Sequence, residues 1–174
     1  MKYLLLNCLF FGITSLTFAQ SKCINTFINK YQGVEHVTHI NITGSLLDLI
    51  TSAKDEQGAR KFISKINHLR VLTIPQSGAI DRNDLLALKQ GIRASNYEEL
   101  VQIRDGKDFV RIYLQEDKDQ VIQELLVLVE DEEDFTLVSL SGQMYYQDLQ
   151  SLELDGEAGE ALKKLPTDHR MPRP

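Results

Sequence analysis

The stretch Ile122-Gln123-Glu124-Leu125-Leu126-Val127-Leu128-Val129-Glu130 decides the fold of this chain, because it is a nearly continuous run of apolar residues. A strand with one buried face alternates between apolar and polar residues, whereas a run of this kind is typical of a central strand buried on both faces. We therefore expect Leu126 and Leu128 on one buried face of a sheet, and Val127 and Val129 on the other.

The sequence on either side of this run predicts further strands. Asp105-Gly106 supplies the positive-φ positions that a tight turn needs, so residues 101–104 and 109–114 are predicted to form a hairpin. An acidic turn at residues 131–134 leads to a last strand at residues 135–140. Earlier in the chain, β-branched residues predict strands at residues 34–42 and 69–74, the second closed by Pro75.

Helices are indicated where apolar residues recur every three or four positions. This spacing occurs at residues 24–31, 45–53, 55–66 and 144–152. Another helix begins after Asp81, and the sequence leaves open whether it continues, or restarts, through residues 97–100. The order of elements predicts a single α+β domain over residues 20–154, with a mixed, mostly antiparallel sheet and helices packed mainly on one face.

The N-terminus has the layout of a secretory signal peptide. Met1 and Lys2 supply a positive start, an apolar run follows, and Thr17-Phe18-Ala19 ends with a small residue. We expect cleavage between Ala19 and Gln20 and a mature protein that is soluble in the periplasm or outside the cell. No apolar run in residues 20–174 approaches the roughly 20 residues that a membrane span requires.

Composition narrows the class of partner. The chain has a formal net charge of −6, with 43% apolar and 25% charged residues, as in an ordinary globular protein. Affinity for nucleic acid depends on Lys and Arg that neutralise phosphates, so an acidic exported domain does not fit a nucleic-acid partner. Residues 155–174 are rich in Gly, Glu, Lys and Pro, and we expect a disordered tail there.

The histidines and one acidic segment have the side chains of a metal site or a calcium loop. His36 and His39 are three positions apart, which on a strand places them on opposite faces, so they do not share one metal ion. His68 and His169 lie far from them in the sequence. The acidic residues 130–134 lack the alternating ligands and the central glycine of an EF-hand loop, and an exposed turn is the simpler interpretation.

Other candidates also have a simpler structural interpretation. Cys8 leaves with the signal peptide, and Cys23 has no sequence context of a catalytic thiol, so we expect it to be a half-buried packing residue. Asn41-Ile42-Thr43 matches a glycosylation acceptor by chance. For Tyr145 and Tyr146 we expect one ring in the core and the other at the surface. The sequence therefore assigns no catalytic, cofactor-binding or metal-binding residue.

The chain resembles a known family of exported bacterial proteins, those with the domain of unknown function DUF4252. The resemblance covers roughly residues 24–152 and rests on motifs in the family's order and spacing: Tyr97-Glu98-Glu99-Leu100, Arg104-Asp105-Gly106, the run at residues 122–129, and Phe135-Thr136-Leu137-Val138-Ser139-Leu140-Ser141-Gly142. Where the family usually has an Ile-Asp-Leu-like segment, this chain has Met144-Tyr145-Tyr146, so an acidic residue is missing. The resemblance implies an envelope protein of a Gram-negative bacterium, with a link to regulation or envelope stress, and supplies no established activity.

Three functions remain open at this point. The first is a non-enzymatic envelope protein that binds a partner protein or an envelope component. The second is an enzyme whose dispersed site no motif reveals, which requires a cleft with convergent ionisable groups. The third is a carrier of an apolar ligand, which requires an apolar cavity of at least a few hundred Å³ between the sheet and the helices.

Overall fold

The computed structural model describes residues 22–51, 61–75 and 80–150. The predicted signal peptide and the predicted tail, at residues 1–19 and 155–174, lie outside these residues, and so does the first half of the helix predicted at residues 55–66. Within the described ranges, no helix is long and apolar enough to cross a membrane.

The described chain forms one sheet and several helices. The strands are β1 (Thr38–Thr43), β2 (Ile66–Pro75), β3 (Glu98–Asp105), β4 (Asp108–Glu116), β5 (Ile122–Glu130) and β6 (Asp134–Met144). The helices are α1 (Lys22–Tyr31), α2 (Gly44–Thr51), α3 (Arg82–Ala94) and α4 (Tyr146–Gln150). Residues 61–63 are also helical.

The six strands form an open antiparallel sheet in the order β1-β2-β6-β5-β4-β3. The predicted α+β class is confirmed. The sheet is not mixed, since all five strand pairs of the described chain are antiparallel. Strand β5 lies between β6 and β4, as its apolar run predicted.

The two faces of the sheet each have their own apolar core. We call the face that carries Leu72, Leu126 and Leu137 the front face; its core includes Phe27 of α1 and Leu88 of α3. The opposite, back face carries the cluster of Leu47, Phe62, Ile112, Leu114, Leu125 and Leu149. Helices α2 and α4 contribute to this second cluster, so the predicted packing of helices mainly on one face is not confirmed.

Local chemistry explains where the elements begin and turn. Asp81 caps α3, and its carboxylate accepts a hydrogen bond of 2.7 Å from the backbone N–H of Asn83. Gly106 has φ of 59° at the β3–β4 turn, as the Asp-Gly pair predicted. Asp131 accepts hydrogen bonds from the backbone N–H groups of Glu133 and Asp134, which closes the β5–β6 turn.

Three predicted boundaries are wrong. Strand β1 begins at Thr38 rather than at residue 34, because the chain turns before it and His36 has φ of 65°. Strand β3 begins at Glu98 rather than at residue 101, so a helix through residues 97–100, which the sequence left open, is not found. Strand β6 continues to Met144, so the last helix starts at Tyr146 rather than at residue 144.

Candidate functional site

A cleft of about 1060 Å³ opens at one end of the front face. Its walls come from the β1–α2 junction, the start of β2, the β4–β5 connection and the end of β6. Apart from Ile66 and two glycines, every residue that lines it has a polar side chain. We call it the polar cleft.

The floor of the polar cleft is a row of polar residues that crosses five strands. Directly opposite one another lie Thr43 of β1, His68 of β2, Ser141 of β6, Glu124 of β5 and Gln115 of β4. Opposite residues in an antiparallel sheet point to the same face. The strand register therefore brings together five polar side chains that are scattered over 99 positions of the sequence, from 43 to 141.

Irregular strand pairing shapes this end of the sheet. The register shifts between Ile66 and His68, between Ile122 and Glu124, and between Gln115 and Glu116, all next to the polar cleft. A bulge of this kind bends a strand and redirects its side chains, and bulges are frequent beside functional sites.

Two glycines allow the backbone segments around the polar cleft to approach each other. A Cβ on Gly44 would lie 2.4 Å from the carbonyl oxygen of Ile66, and one on Gly142 would lie 2.0 Å from that of Lys65. Both distances are far below van der Waals contact, so neither position accommodates a side chain without displacement of the backbone. The wall of the cleft thus depends on these two glycines.

A buried polar network lies beside the floor. The hydroxyl of Ser139 donates to Glu124 Oε1 over 2.7 Å, and the hydroxyl of Tyr97 donates to Glu124 Oε2 over 2.7 Å. Arg70 Nη2 donates to Ser139 Oγ over 3.1 Å, and Arg70 Nη1 donates to Asn25 of α1 over 2.6 Å. The network connects the sheet to α1 and to the segment that follows α3.

The network contains a buried pair of opposite charges. Arg70 Nη2 lies 3.8 Å from Glu124 Oε1, and the two residues are 9% and 2% exposed. Burial lowers the pKa of the Arg70 guanidinium from its usual value, and the carboxylate of Glu124 acts in the opposite direction. A buried charge without a partner is strongly destabilising, so each member of the pair depends on the other.

The carboxylates at the rim of the polar cleft also take part in local structure. Asp117 accepts hydrogen bonds from the backbone N–H groups of Asp119 and Val121 and from the side chain of Gln123. Glu116 accepts a hydrogen bond of 3.1 Å from the hydroxyl of Tyr146. Burial and this neighbouring carboxylate raise the pKa of Tyr146 well above its usual value.

The arrangement is suited to holding a polar ligand. The floor presents hydroxyl, amide, imidazole and carboxylate groups toward the same space, and these groups both donate and accept hydrogen bonds. The two oxygens of Glu124 already accept hydrogen bonds from Ser139 and Tyr97, so this carboxylate is held in place by the protein.

The histidines considered as a metal site do not come together. His36 lies in the turn before β1, where its ring is 3.5 Å from Glu35, while His39 lies in β1. His68 lies on the floor of the polar cleft, a location that its position in the sequence did not predict. Among the described residues, no group of three or more His, Cys, Asp or Glu could hold a metal ion.

The other two candidates, the acidic turn and Cys23, contact other parts of the fold. The acidic turn includes an ion pair of Glu132 with Lys107, and Glu130 pairs with Lys89. Cys23 is half-buried where α1 meets Gly91 of α3, as expected of a packing residue.

The expectation for the two tyrosines of the last turn is confirmed, because Tyr146 is 8% exposed and Tyr145 is 43% exposed. Asn41 of the glycosylation-like motif lies in β1 and is exposed.

Sequence reasoning missed the polar cleft. One signal was available, since Glu124 interrupts the otherwise apolar β5, and a buried acid in a central strand requires polar partners. Its partners Arg70 and Ser139 are on two other strands, and nothing local in the sequence pairs them with it.

Comparison with known proteins identifies a family but no individual protein that is similar to this chain. The sequence model of a family described as "Domain of unknown function (DUF4252)" matches residues 31–152. These residues include every strand and the whole lining of the polar cleft. No curated protein and no solved structure matches the chain.

Proposed function

This chain belongs to the family of the domain of unknown function DUF4252, and we propose that it is an exported envelope protein that binds a polar ligand in the polar cleft without catalysing a reaction. Export is supported by the signal-peptide pattern of residues 1–19. The ligand is a partner protein or an envelope component, and the family resemblance connects it with regulation or envelope stress.

The observation that supports binding of a polar ligand is the lining of the cleft itself. Its residues include the carboxylates of Asp48, Glu116 and Asp117 in addition to Glu124, which is paired with Arg70, and no Lys or Arg is found among the described residues that line it. Such a surface favours positively charged and hydrogen-bond-donating groups, such as an amine or a guanidinium, and disfavours phosphates. The cleft is also too polar for a carrier of apolar ligands, which bind in mainly hydrophobic pockets.

Binding is favoured over catalysis by the way the buried network is built. A general base needs an oxygen within hydrogen-bond reach of the proton that it removes. Both oxygens of Glu124 are occupied by Ser139 and Tyr97, and Asp117 is occupied by its own turn. The carboxylates of Glu124 and Asp117 are thus held by the protein's own hydrogen-bond donors.

A titration with chemically defined probes tests the proposed site. The probes are a lysine tetrapeptide, a neutral oligosaccharide and inorganic phosphate, each added to the isotope-labelled protein. We expect the lysine peptide to shift the backbone amide signals of His68, Gln115 and Ser141, and phosphate to leave them unchanged. Absence of shifts with the peptide and the oligosaccharide, or shifts confined to other surfaces, would show that the cleft is not the binding site.

A matched pair of variants makes this test specific. Asn67→Arg places a long cation at the exposed wall of the polar cleft, whereas Asn29→Arg places the same group on the exposed side of α1. We expect the first variant to lose most of the response to the lysine peptide and the second to keep it. Equal responses of both variants would contradict the proposal.

Export has a separate test that does not depend on the ligand. The intact mass of protein recovered from the cell envelope is expected to match a chain that begins at Gln20, or its cyclised form. Full-length protein recovered from the cytoplasm would contradict export.

A further inference from the structure

The two edges of the sheet differ in how they are protected. Strand β3, at one edge, has charged side chains at Glu98, Glu99, Arg104 and Asp105, and its pairing with β4 is interrupted by a register shift. Charges and bulges are the usual means by which proteins prevent an edge strand from pairing with another chain. Strand β1, at the other edge, has the sequence Thr-His-Ile-Asn-Ile-Thr, with no Asp, Glu, Lys, Arg or Pro and a regular register against β2.

A continuous row of aliphatic residues on the back face ends at this unprotected edge. Directly opposite neighbours connect Ile40, Val71, Val138, Val127, Ile112 and Val101 across all six strands. At the β3 end of the row Val101 is 9% exposed, although it is on an edge strand. At the β1 end Ile40 is 43% exposed. The aliphatic row is therefore buried at the β3 edge and exposed to solvent at the β1 edge.

Exposed apolar side chains also concentrate next to β1. Helix α2 follows β1 directly, and its Leu46 and Leu49 are 46% and 70% exposed. Residues 38–51 contain a single charged side chain, Asp48, although a quarter of the whole chain is charged. A patch of low charge with several exposed aliphatic residues is typical of a protein–protein interface.

We propose that β1 is a self-association edge, at which two copies of this chain pair their β1 strands antiparallel about a two-fold axis to form a continuous twelve-stranded sheet. An antiparallel strand is complementary to its own copy, because outward N–H and C=O groups alternate along both strands. Residues that face each other across the axis point to the same face, so Ile40 and Ile42 of both copies extend the aliphatic row.

The expected dimer is weak and closed. Pairing of six residues with flanking contacts from α2 forms a small interface, and small interfaces are typical of weak, transient association. Because the β3 edge is protected by charge and a bulge, association stops at two copies. This inference is independent of the ligand proposed for the polar cleft.

Sedimentation measured over a wide range of protein concentration tests the proposal. We expect a monomer–dimer equilibrium for the wild-type chain. Ile40→Lys adds a charge to the edge and is expected to weaken dimerisation at least tenfold. The matched control is Leu86→Lys, which changes an equally exposed aliphatic residue on α3; it is expected to change the dissociation constant less than twofold.

Three results would overturn the proposal. They are a monomer at every concentration, a dimer that Ile40→Lys leaves unchanged, and open-ended assembly beyond two copies. If Ile40→Lys does not fold, the wild-type chain alone decides the question by hydrogen exchange. Alternate amides of residues 38–43 are expected to exchange more slowly as protein concentration rises. Exchange that does not depend on concentration would exclude pairing at β1.

Discussion

The hydroxyl of Ser139 donates a hydrogen bond of 2.7 Å to Glu124 Oε1 near the middle of the sheet, where the two residues are 1% and 2% exposed. The same hydroxyl oxygen accepts from Arg70, so Ser139 lies between the two buried charges. A hydroxyl both donates and accepts, and this lets it satisfy the carboxylate and the guanidinium at once.

Removal of this hydroxyl is therefore expected to destabilise the fold. Ser139→Ala leaves Glu124 and Arg70 each without one hydrogen bond in a buried environment, at a cost of about 1–3 kcal/mol in the free energy of unfolding. Denaturation in urea measures this cost. The control is Ser64→Ala, because the Ser64 hydroxyl bonds to Lys61 in an exposed position. If both variants unfold at the same urea concentration, the buried network does not contribute as described.

Strand β5 provides a second prediction, which distinguishes its two faces. Leu126 on the front face is fully buried, whereas Val127 on the back face is half-buried. Leu126→Ala is expected to cost about 2–4 kcal/mol of unfolding free energy, because it leaves a cavity in the core. Val127→Ala removes less buried surface and is expected to cost roughly 1 kcal/mol. A cost below about half a kcal/mol for Leu126→Ala would contradict its place in the front core.

The sequence was sufficient to predict β5 as a central strand, but Val127 and Val129, which were expected to be buried, are half-buried. It was misleading at residues 34–37, where β-branched residues suggested a strand but the chain turns, with His36 in a left-handed conformation. At residues 98–100 the sequence left a helix open, but these residues lie in β3, where Glu98 and Glu99 pair with β4. β-Strand formation depends on distant partners more than on local preference, so such boundaries are poorly determined by the sequence.

The polar cleft was hidden from the sequence for a related reason. Thr43, His68 and Ser141 become neighbours only through the register of β1, β2 and β6, and this register depends on bulges. Glu124 can be recognised in the sequence as an acid within an apolar strand, but Arg70 on β2 cannot be recognised there as its partner. The fold class follows from residue periodicity, whereas the site follows from the pairing of strands that are far apart in the sequence.

The close backbone approach at Gly142 gives a third prediction. Gly142→Ala places a methyl group 2.0 Å from the carbonyl oxygen of Lys65, so the segment before β2 must move. We expect a loss of about 1–3 kcal/mol in the free energy of unfolding, together with shifted amide signals around the polar cleft. Gly33→Ala is the matched control, since a methyl group there meets nothing within 4 Å. Equal stability of the two variants would contradict the close approach.

The contact of α1 with α3 includes a carboxylate that makes stability depend on pH. Asp84 of α3 accepts hydrogen bonds from Lys30 and from the hydroxyl of Tyr31, the second over 2.6 Å. The hydrogen bond from Lys30, followed by that from Tyr31, lowers the pKa of the Asp84 carboxyl from its usual value. Burial and the bond to Asp84 raise the pKa of the Tyr31 hydroxyl in turn.

The lowered pKa of Asp84 sets the direction of the pH effect. The unfolded chain binds a proton at Asp84 at a higher pH than the folded chain does. The stabilisation of the fold by Asp84 is therefore present above the unfolded pKa of about 3.8, and it is lost as pH falls through the lower folded pKa. Asp84→Asn is therefore expected to reduce stability at neutral pH and to flatten the decline of the thermal midpoint below about pH 4. Asp108→Asn, at the exposed β3–β4 turn, is the control and should leave that decline as it is in the wild type. If Asp84→Asn loses as much stability as the wild type over the same acid range, the contact of α1 with α3 does not account for the acid sensitivity.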